Sequence, residues 1–378
     1  MKRISNLISI VIIVAGVFAA NCSYAKAPLL TVKDLNSPPP RIIRTCCSFG
    51  VEVGITGMPL KKLSEITSLY KIGNHKYLGD RFEANGIIYT KLGGFIDLGH
   101  LRDQADWTAY LYSLILSKKE EGRIVQKIGY EGGRKTLTIK IPEDLEDIDA
   151  VLLAGRITYD LSIWHEIATW FGASYLPFVP ERYSSFSIED SYSNLLGILI
   201  GIKAIQSNLP YEEAMTILLK EKLIELKAVE TDEETYAAMK AVEDIWWTND
   251  VKLPNAKVLK QRNLEIGSTL KPWLVSQSSH NEKAQEINIE VKTSEGVPLS
   301  QLYEVSFKLN HKFPLKEIIP IKNGRLITQK DFDLLMIYVK EDLQKRYAQN
   351  PKKLEAELRK KQREELRETK KTTTSNKP

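Results

Sequence analysis

Four stretches of this sequence set titratable side chains inside apolar surroundings, where a charge is costly unless it is paired or used. The first is GGFIDLGHLRDQADW, residues 93–107. If a helix begins near His100, then His100, Asp103 and Trp107 share one face at i, i+3 and i+7. Asp106 falls one turn beyond Asp103 on the same run. A histidine among carboxylates, with Asp97 just upstream, either gains basicity or starts a metal shell. The plainer reading is a helix start, with Asp103 favoured by the dipole and His100 in the cap.

The second stretch, YDLSIWHEIATWFG at 159–172, buries the pair His165-Glu166 in a very apolar helix. The zinc-protease helix His-Glu-x-x-His sets two histidines one turn apart with Glu as base. Thr169 stands where the second histidine belongs, so that motif fails. His165 remains a candidate single ligand, or a core histidine bonded to Asp160 or another carboxylate. The third stretch, FSIEDSYSNLLG at 186–197, opens a helix that is apolar all round after Asn194, the pattern of a buried helix. Asp190, Asn194, Gly197 and Gly201 fall on one face, polar at one end and small at the other. Glu189, Asp190 and Asn194 read as a site wall. Equally, Ser187 and Asp190 fit a capping box, with the two glycines admitting a close helix neighbour. The fourth stretch, RTCCSFG at 44–50, holds Cys46 and Cys47. A nucleophilic thiol needs a base, which His100 or His165 would supply. Small buried thiols without chemistry are the commoner outcome.

Taken together, CCSFG, GGFIDLGHLRDQADWT, HEIATWFG and FSIEDSYSNLLG resemble the bacterial exported family named domain of unknown function 4056, over roughly residues 40–205. The resemblance implies that the four segments form one module, so that their polar groups converge. It implies no activity and no substrate.

The elements that must position these groups are mostly helical. The segment 28–45, with Pro38-Pro39-Pro40, reads as extended. Strand-like pieces IIYT and FID flank Gly93-Gly94, and a helix follows to about Leu116. Ile124–Tyr130 and Thr136–Ile141 flank the turn Glu131-Gly132-Gly133-Arg134 as a hairpin. Helices are expected over about 144–172, from Ser187 to Gln206, from Pro210 to about Leu226, and from Thr231 to near Trp246-Trp247. EINIEV (286–291) and YEVSFKL (303–309) are strand candidates. Thr328 is placed as the cap of a helix to about Ala348. Pro351 to Arg367 reads as a charged helix, and 369–378 as a disordered tail. The fold class is α+β: a mainly helical core with a small β-hairpin, short strands and a charged C-terminal helix. The domain reading is a main helical domain over 26–250, a smaller mixed region over 251–348, and the charged helix and tail over 349–378.

Lys2 and Arg3, the apolar run from Leu7 to Ala20, and the small residues Ser23 and Ala25 form a signal-peptide pattern with cleavage after Ala25. The run is shorter than the ~20 residues that span a bilayer. The expected address is therefore the periplasm, with no span left after cleavage. The net charge is +5. Residues 350–378 hold ten Lys and Arg against five Glu, so the tail accounts for the whole excess. The basic balance therefore points to no nucleic-acid partner. The tail helix is instead a candidate for binding an envelope partner. Of three cysteines, Cys22 leaves with the signal, and no disulfide framework remains.

Two functions follow. The first is a metal-dependent hydrolase, with His100, His165 and one or two of Asp97, Asp103, Glu189 and Asp190 holding Zn²⁺ or another divalent ion. Glu166 then acts as general base on the bound water. The alternative is a non-catalytic periplasmic structural or binding protein, whose polar residues form a buried network. A cysteine hydrolase using Cys46 or Cys47 is a third reading.

Overall fold

The computed structural model describes residues 27–28, 30–44, 48–62, 64–174, 181–276, 283–310, 313–320 and 324–347. The signal-like N-terminus, Cys46 and Cys47, and the charged C-terminal helix and tail lie outside the described residues. The architecture is α+β, with eight helices and several short antiparallel sheets among the described residues.

A short helix, α1 (Val32–Leu35), corrects the extended reading of 28–45. Thr31 and Asp34 close a reciprocal capping box, with Asp34 Oδ2 accepting from Thr31 N at 2.9 Å, and this fixes one turn before the prolines begin. β1 (Gly54–Ile55) and β2 (Met58–Lys62) form a small ribbon. β3 (Ile87–Thr90) and β4 (Gly94–Asp97) form the expected hairpin, and α2 (Leu98–Ser117) starts directly after it. Asp97 is the N-cap of α2. Its Oδ1 accepts from His100 N at 3.0 Å, satisfying one of the orphan amides of the first turn.

β5 (Arg123–Tyr130) and β6 (Gly133–Lys140) make the second expected hairpin. β9 (Tyr303–Leu309) pairs with β6 along its length, and β10 (Leu326–Thr328) pairs with β9. The result is a four-stranded antiparallel sheet in the order β10-β9-β6-β5. YEVSFKL thus becomes a strand with partners on both sides, drawn from more than 160 residues away in the case of Thr136 and Ser306. EINIEV shortens to β8 (Ile287–Asn288), paired with β7 (Thr269–Leu270).

α3 (Asp147–Trp170) and α4 (Asp190–Gln206) complete the core with α2. All three are buried nearly all round and pack against one another. Trp164 of α3 stacks on Phe307 of β9 at 4.1 Å between ring centroids. α4 meets α2 backbone to backbone: a Cβ on Gly197 would lie 1.9 Å from Leu101 O, and one on Gly201 2.9 Å from Ala105 Cα. The small-residue end of the α4 face is therefore a packing surface. α5 (Tyr211–Glu225) and α6 (Asp232–Ala241) follow. α6 ends several residues before the Trp246-Trp247 pair, where the chain turns through Asp244 at φ 62°. The capping box expected at Ser187 is only half formed. Asp190 accepts from Ser187 N at 3.2 Å, but Ser187 Oγ turns away to Glu189 at 2.6 Å, and Glu189 is the N-cap.

α7 (Leu315–Ile318) is a single turn. Thr328 is a strand residue rather than a helix cap, and its amide donates to Asp331 at 2.8 Å. The chain divides into compact units after Asp331, and the second unit's described part is α8 (Phe332–Tyr347). Among the described residues no helix is long and apolar enough to cross a membrane.

Candidate functional site

α2, α3 and α4 bring three of the four sequence segments to one place. His100, Asp103, Gln104 and Trp107 of α2 line a cavity of about 40 Å³, so the predicted i, i+3, i+7 face does point one way. Leu161, Ser162 and His165 of α3 and Asn194 of α4 line it too. The remaining wall comes from residues with no part in the four motifs' chemistry: Arg41, Glu131 and Lys135.

The two imidazoles face each other across this cavity, ring centroids 6.3 Å apart and nearly perpendicular. Each has a carboxylate from a different element beside Nδ1, hydrogen-bonded in the case of His165 and at ion-pair distance in the case of His100. His100 Nδ1 lies 2.8 Å from Asp190 Oδ1 at the start of α4. His165 Nδ1 lies 2.7 Å from Glu131 Oε1 in the β5–β6 turn. The turn is locked onto α3, since Trp164 Nε1 donates to Glu131 O at 3.1 Å. Gly132 sits at φ 63°, a conformation that glycine takes without cost.

The surroundings of the two pairs have opposite sign. Glu131 is buried and also accepts from Lys135 Nζ at 2.9 Å and Arg41 at 3.2 Å. Burial opposes its charge, but Lys135, His165 and Arg41 together hold its carboxyl well below the usual range. Burial likewise works against a charged His165, yet Glu131 beside it lifts the imidazole above its ordinary value. On the other side Asp190 is surrounded by acids. Burial and the neighbouring Asp190 charge push Glu166 up to about 7 and raise Glu189 far above an ordinary carboxylate. Burial, reinforced by Asp190, also raises Asp97. Among the described residues Asp97 Oδ2, Glu166 Oε1, Glu189 Oε1 and Asn194 Oδ1 are buried without a hydrogen-bond partner.

The predicted residues therefore separate. His100, Asp190, His165 and Asn194 converge. Asp97 serves as a helix cap. Glu166 and Glu189 are buried and do not line the cavity, and Glu166 Oε2 accepts from Phe186 N at 2.5 Å. Asp160, a predicted partner for His165, instead binds Arg156 at 2.7 Å and the Tyr303 hydroxyl at 2.5 Å. Asp103 is committed elsewhere. With Asp106 and Glu83 it surrounds Arg44, at 3.0, 2.9 and 2.6 Å respectively. His75 and Tyr211 close the same network on Asp106 Oδ1 at 2.9 and 3.1 Å. Among the described residues no group of three or more His, Cys, Asp and Glu side chains is placed to hold a metal ion.

Sequence reading missed Glu131, Arg41 and Lys135. Glu131 was visible only as a turn residue, and Arg41 only as the residue after three prolines. An acid in a glycine-rich turn beside a buried histidine helix is the one local signal that pointed there.

A family model described as a protein of unknown function, DUF4056, matches residues 35–276, which is most of the chain and covers both histidines with their carboxylates. The chain belongs to this family, as its four motifs suggested. No curated protein and no solved structure matches it.

Proposed function

We propose that the protein is an exported hydrolase that works by general acid–base catalysis between two histidine–carboxylate pairs. One observation carries this reading: two imidazoles from different helices line one cavity, His165 hydrogen-bonded at Nδ1 to Glu131 and His100 with Asp190 at ion-pair distance from Nδ1. At His165 the bond to Glu131 fixes the tautomer and leaves Nε2 as the nitrogen for proton transfer, and Asp190 beside His100 Nδ1 favours the same arrangement there. His165, lifted by Glu131, is the group that brings a proton to the leaving group. His100 takes the proton from water as its oxygen attacks an ester or amide carbon, or phosphorus. The proton gained at one imidazole balances the proton given by the other.

A metal-assisted form of the reaction is the second reading. A histidine whose Nδ1 is held by a carboxylate is also what backs a metal ligand. Zn²⁺ or another divalent ion would then sit between the imidazoles, needing further donors from outside the described residues.

The test is turnover of p-nitrophenyl carboxylic and phosphate esters by the mature protein, with metal content measured alongside. Hydrolysis that survives chelator and is lost in His100→Ala and His165→Ala supports the acid–base reading. Loss in chelator, with stoichiometric metal in the untreated protein, supports the second. No turnover of either ester class by the wild type sinks both and leaves a non-catalytic periplasmic protein. In that case the charged tail over 349–378 becomes the place to look for a partner. Export is tested directly by the mature N-terminus, which should be Lys26.

A further inference from the structure

We infer that the cavity contains an oxyanion subsite built on Arg41 and Lys135, so that its ligand carries a carboxylate or phosphate group. The inference rests on the reading of this cavity as a ligand site, and not on hydrolysis.

The donor inventory carries the argument. A guanidinium has five N–H groups and an ammonium three. Arg44, a short way along the chain, spends all five of its donors on protein: two on Glu83, one each on Asp103 and Asp106, and one on Lys76 O. Arg41 spends two among the described residues, one on Glu131 at 3.2 Å and one on Glu181 at 2.6 Å. Lys135 spends one, on Glu131 at 2.9 Å. Both side chains are largely buried, 12% and 5% exposed, so bulk water does not meet the remaining donors freely. Both line the cavity beside His165. A wall with surplus N–H donors and two fixed cations is matched by an acceptor-only group, and the planar guanidinium fork suits an oxyanion in particular.

Size narrows the ligand. One water needs roughly 10–15 Å³ of such space, so a cavity of about 40 Å³ admits only a group of a few heavy atoms. Arg41 and Glu131 also line an adjoining hollow of about 400 Å³, with Tyr130, Gly172, Ser174 and Asn310 around it. The two spaces meet at the Arg41–Glu131 pair. The small anionic head would seat inside, against Arg41 and Lys135. The rest of the ligand would run outward past Tyr130 and Asn310, whose amide donates to the tyrosine hydroxyl at 3.3 Å.

Calorimetric titration of the mature protein with inorganic phosphate and, separately, with acetate tests this. At least one anion should bind saturably, with Kd about 1 mM or tighter. Arg41→Gln and Lys135→Gln should each weaken it at least tenfold, with melting temperature recorded for both. If one variant fails to fold, the other carries the comparison. Phosphate alone assigns a phosphate-bearing ligand, acetate alone a carboxylate, and both an unselective oxyanion seat. Failure of both anions to bind the wild type overturns the subsite, as does binding that neither substitution weakens. Anion binding without ester turnover removes the hydrolase reading and leaves this one standing. Turnover without anion binding does the reverse.

Discussion

Arg44 and Arg41 stand three residues apart and end in opposite conditions. Around Arg44 the carboxylates are closed, although His75 Nδ1, Asn85 Oδ1 and Arg102 Nε at the edge of the cluster have no hydrogen-bond partner among the described residues. Every carboxylate oxygen of Glu83, Asp103 and Asp106 has a partner, from Arg44 itself, from backbone amides of 43, 44, 76 and 78, or from Asn85, His75 and Tyr211. Around Arg41 and the two histidines the charges are open. Surplus donors face a cavity on one side, and on the other side buried oxygens of Asp97, Glu166 and Glu189 have no protein partner among the described residues. Both sets are buried and both lean on α2, so burial alone does not tell a structural network from a site. Satisfaction does. A cluster whose carboxylate oxygens are all bonded rigidifies the fold, whereas buried carboxylate oxygens left without a partner are costly unless something else completes them.

The comparison breaks most visibly at Arg44. Arg44→Met should strand three buried carboxylates and cost about 3–5 kcal/mol of stability. Chemical denaturation would read this, and a variant that melts like the wild type would show that the network is not what it looks like. On the open side the same kind of deletion should move function instead. His165→Ala and His100→Ala should each lower turnover by roughly 10²–10⁴-fold with little change in melting. Glu131→Gln sharpens this point. It removes the charge that lifts His165, so the His165 titration seen by NMR should move down, and the turnover optimum should move to lower pH with it.

A packing control comes next. Gly197→Ala puts a methyl into Leu101 O, and should cost about 1–3 kcal/mol by forcing α4 away from α2. Since Asp190 rides on α4, this variant should also loosen the His100 pair, which an equal loss of stability elsewhere would not do.

At Glu166 the expected effect depends on pH. Its folded pKa of about 7 stands above the ordinary 4.5, so the folded protein binds more protons than the unfolded chain between those values. Stability contributed by this group is present at low pH and is lost as pH rises from 4.5 to about 7. Glu166→Gln should therefore gain in melting temperature relative to the wild type as pH increases across that window. A difference that stays flat with pH would mean that Glu166 is already ionised in the folded state.

Much of this molecule was legible in the chain. Both hairpins stood out because Gly93-Gly94 and Gly132-Gly133 mark their turns between β-prone runs. α2, α3 and α4 stood out through apolar spacing, and Asp190 and Asn194 were placed on one face of α4 with the glycines that pack it. What failed was local competition. Thr328 looks like a cap, but pairing of β10 with β9 wins, and Ser187 turns to Glu189 instead of completing its box. The long strand 303–309 was legible as a strand but not as a neighbour of β6.

The sequence alone determined the α+β class, the family, and which three helices carry the polar residues, because these follow from periodicity and from runs of adjacent residues. Only the tertiary structure decided which carboxylate serves which histidine. Asp190 reaches His100 across 90 positions, and Glu131 reaches His165 across 34. Helix periodicity relates residues within a turn or two of each other. Partners on different elements are chosen by how closely the helices pack, and here that depends on Gly197 against Leu101 and on a turn pinned to Trp164.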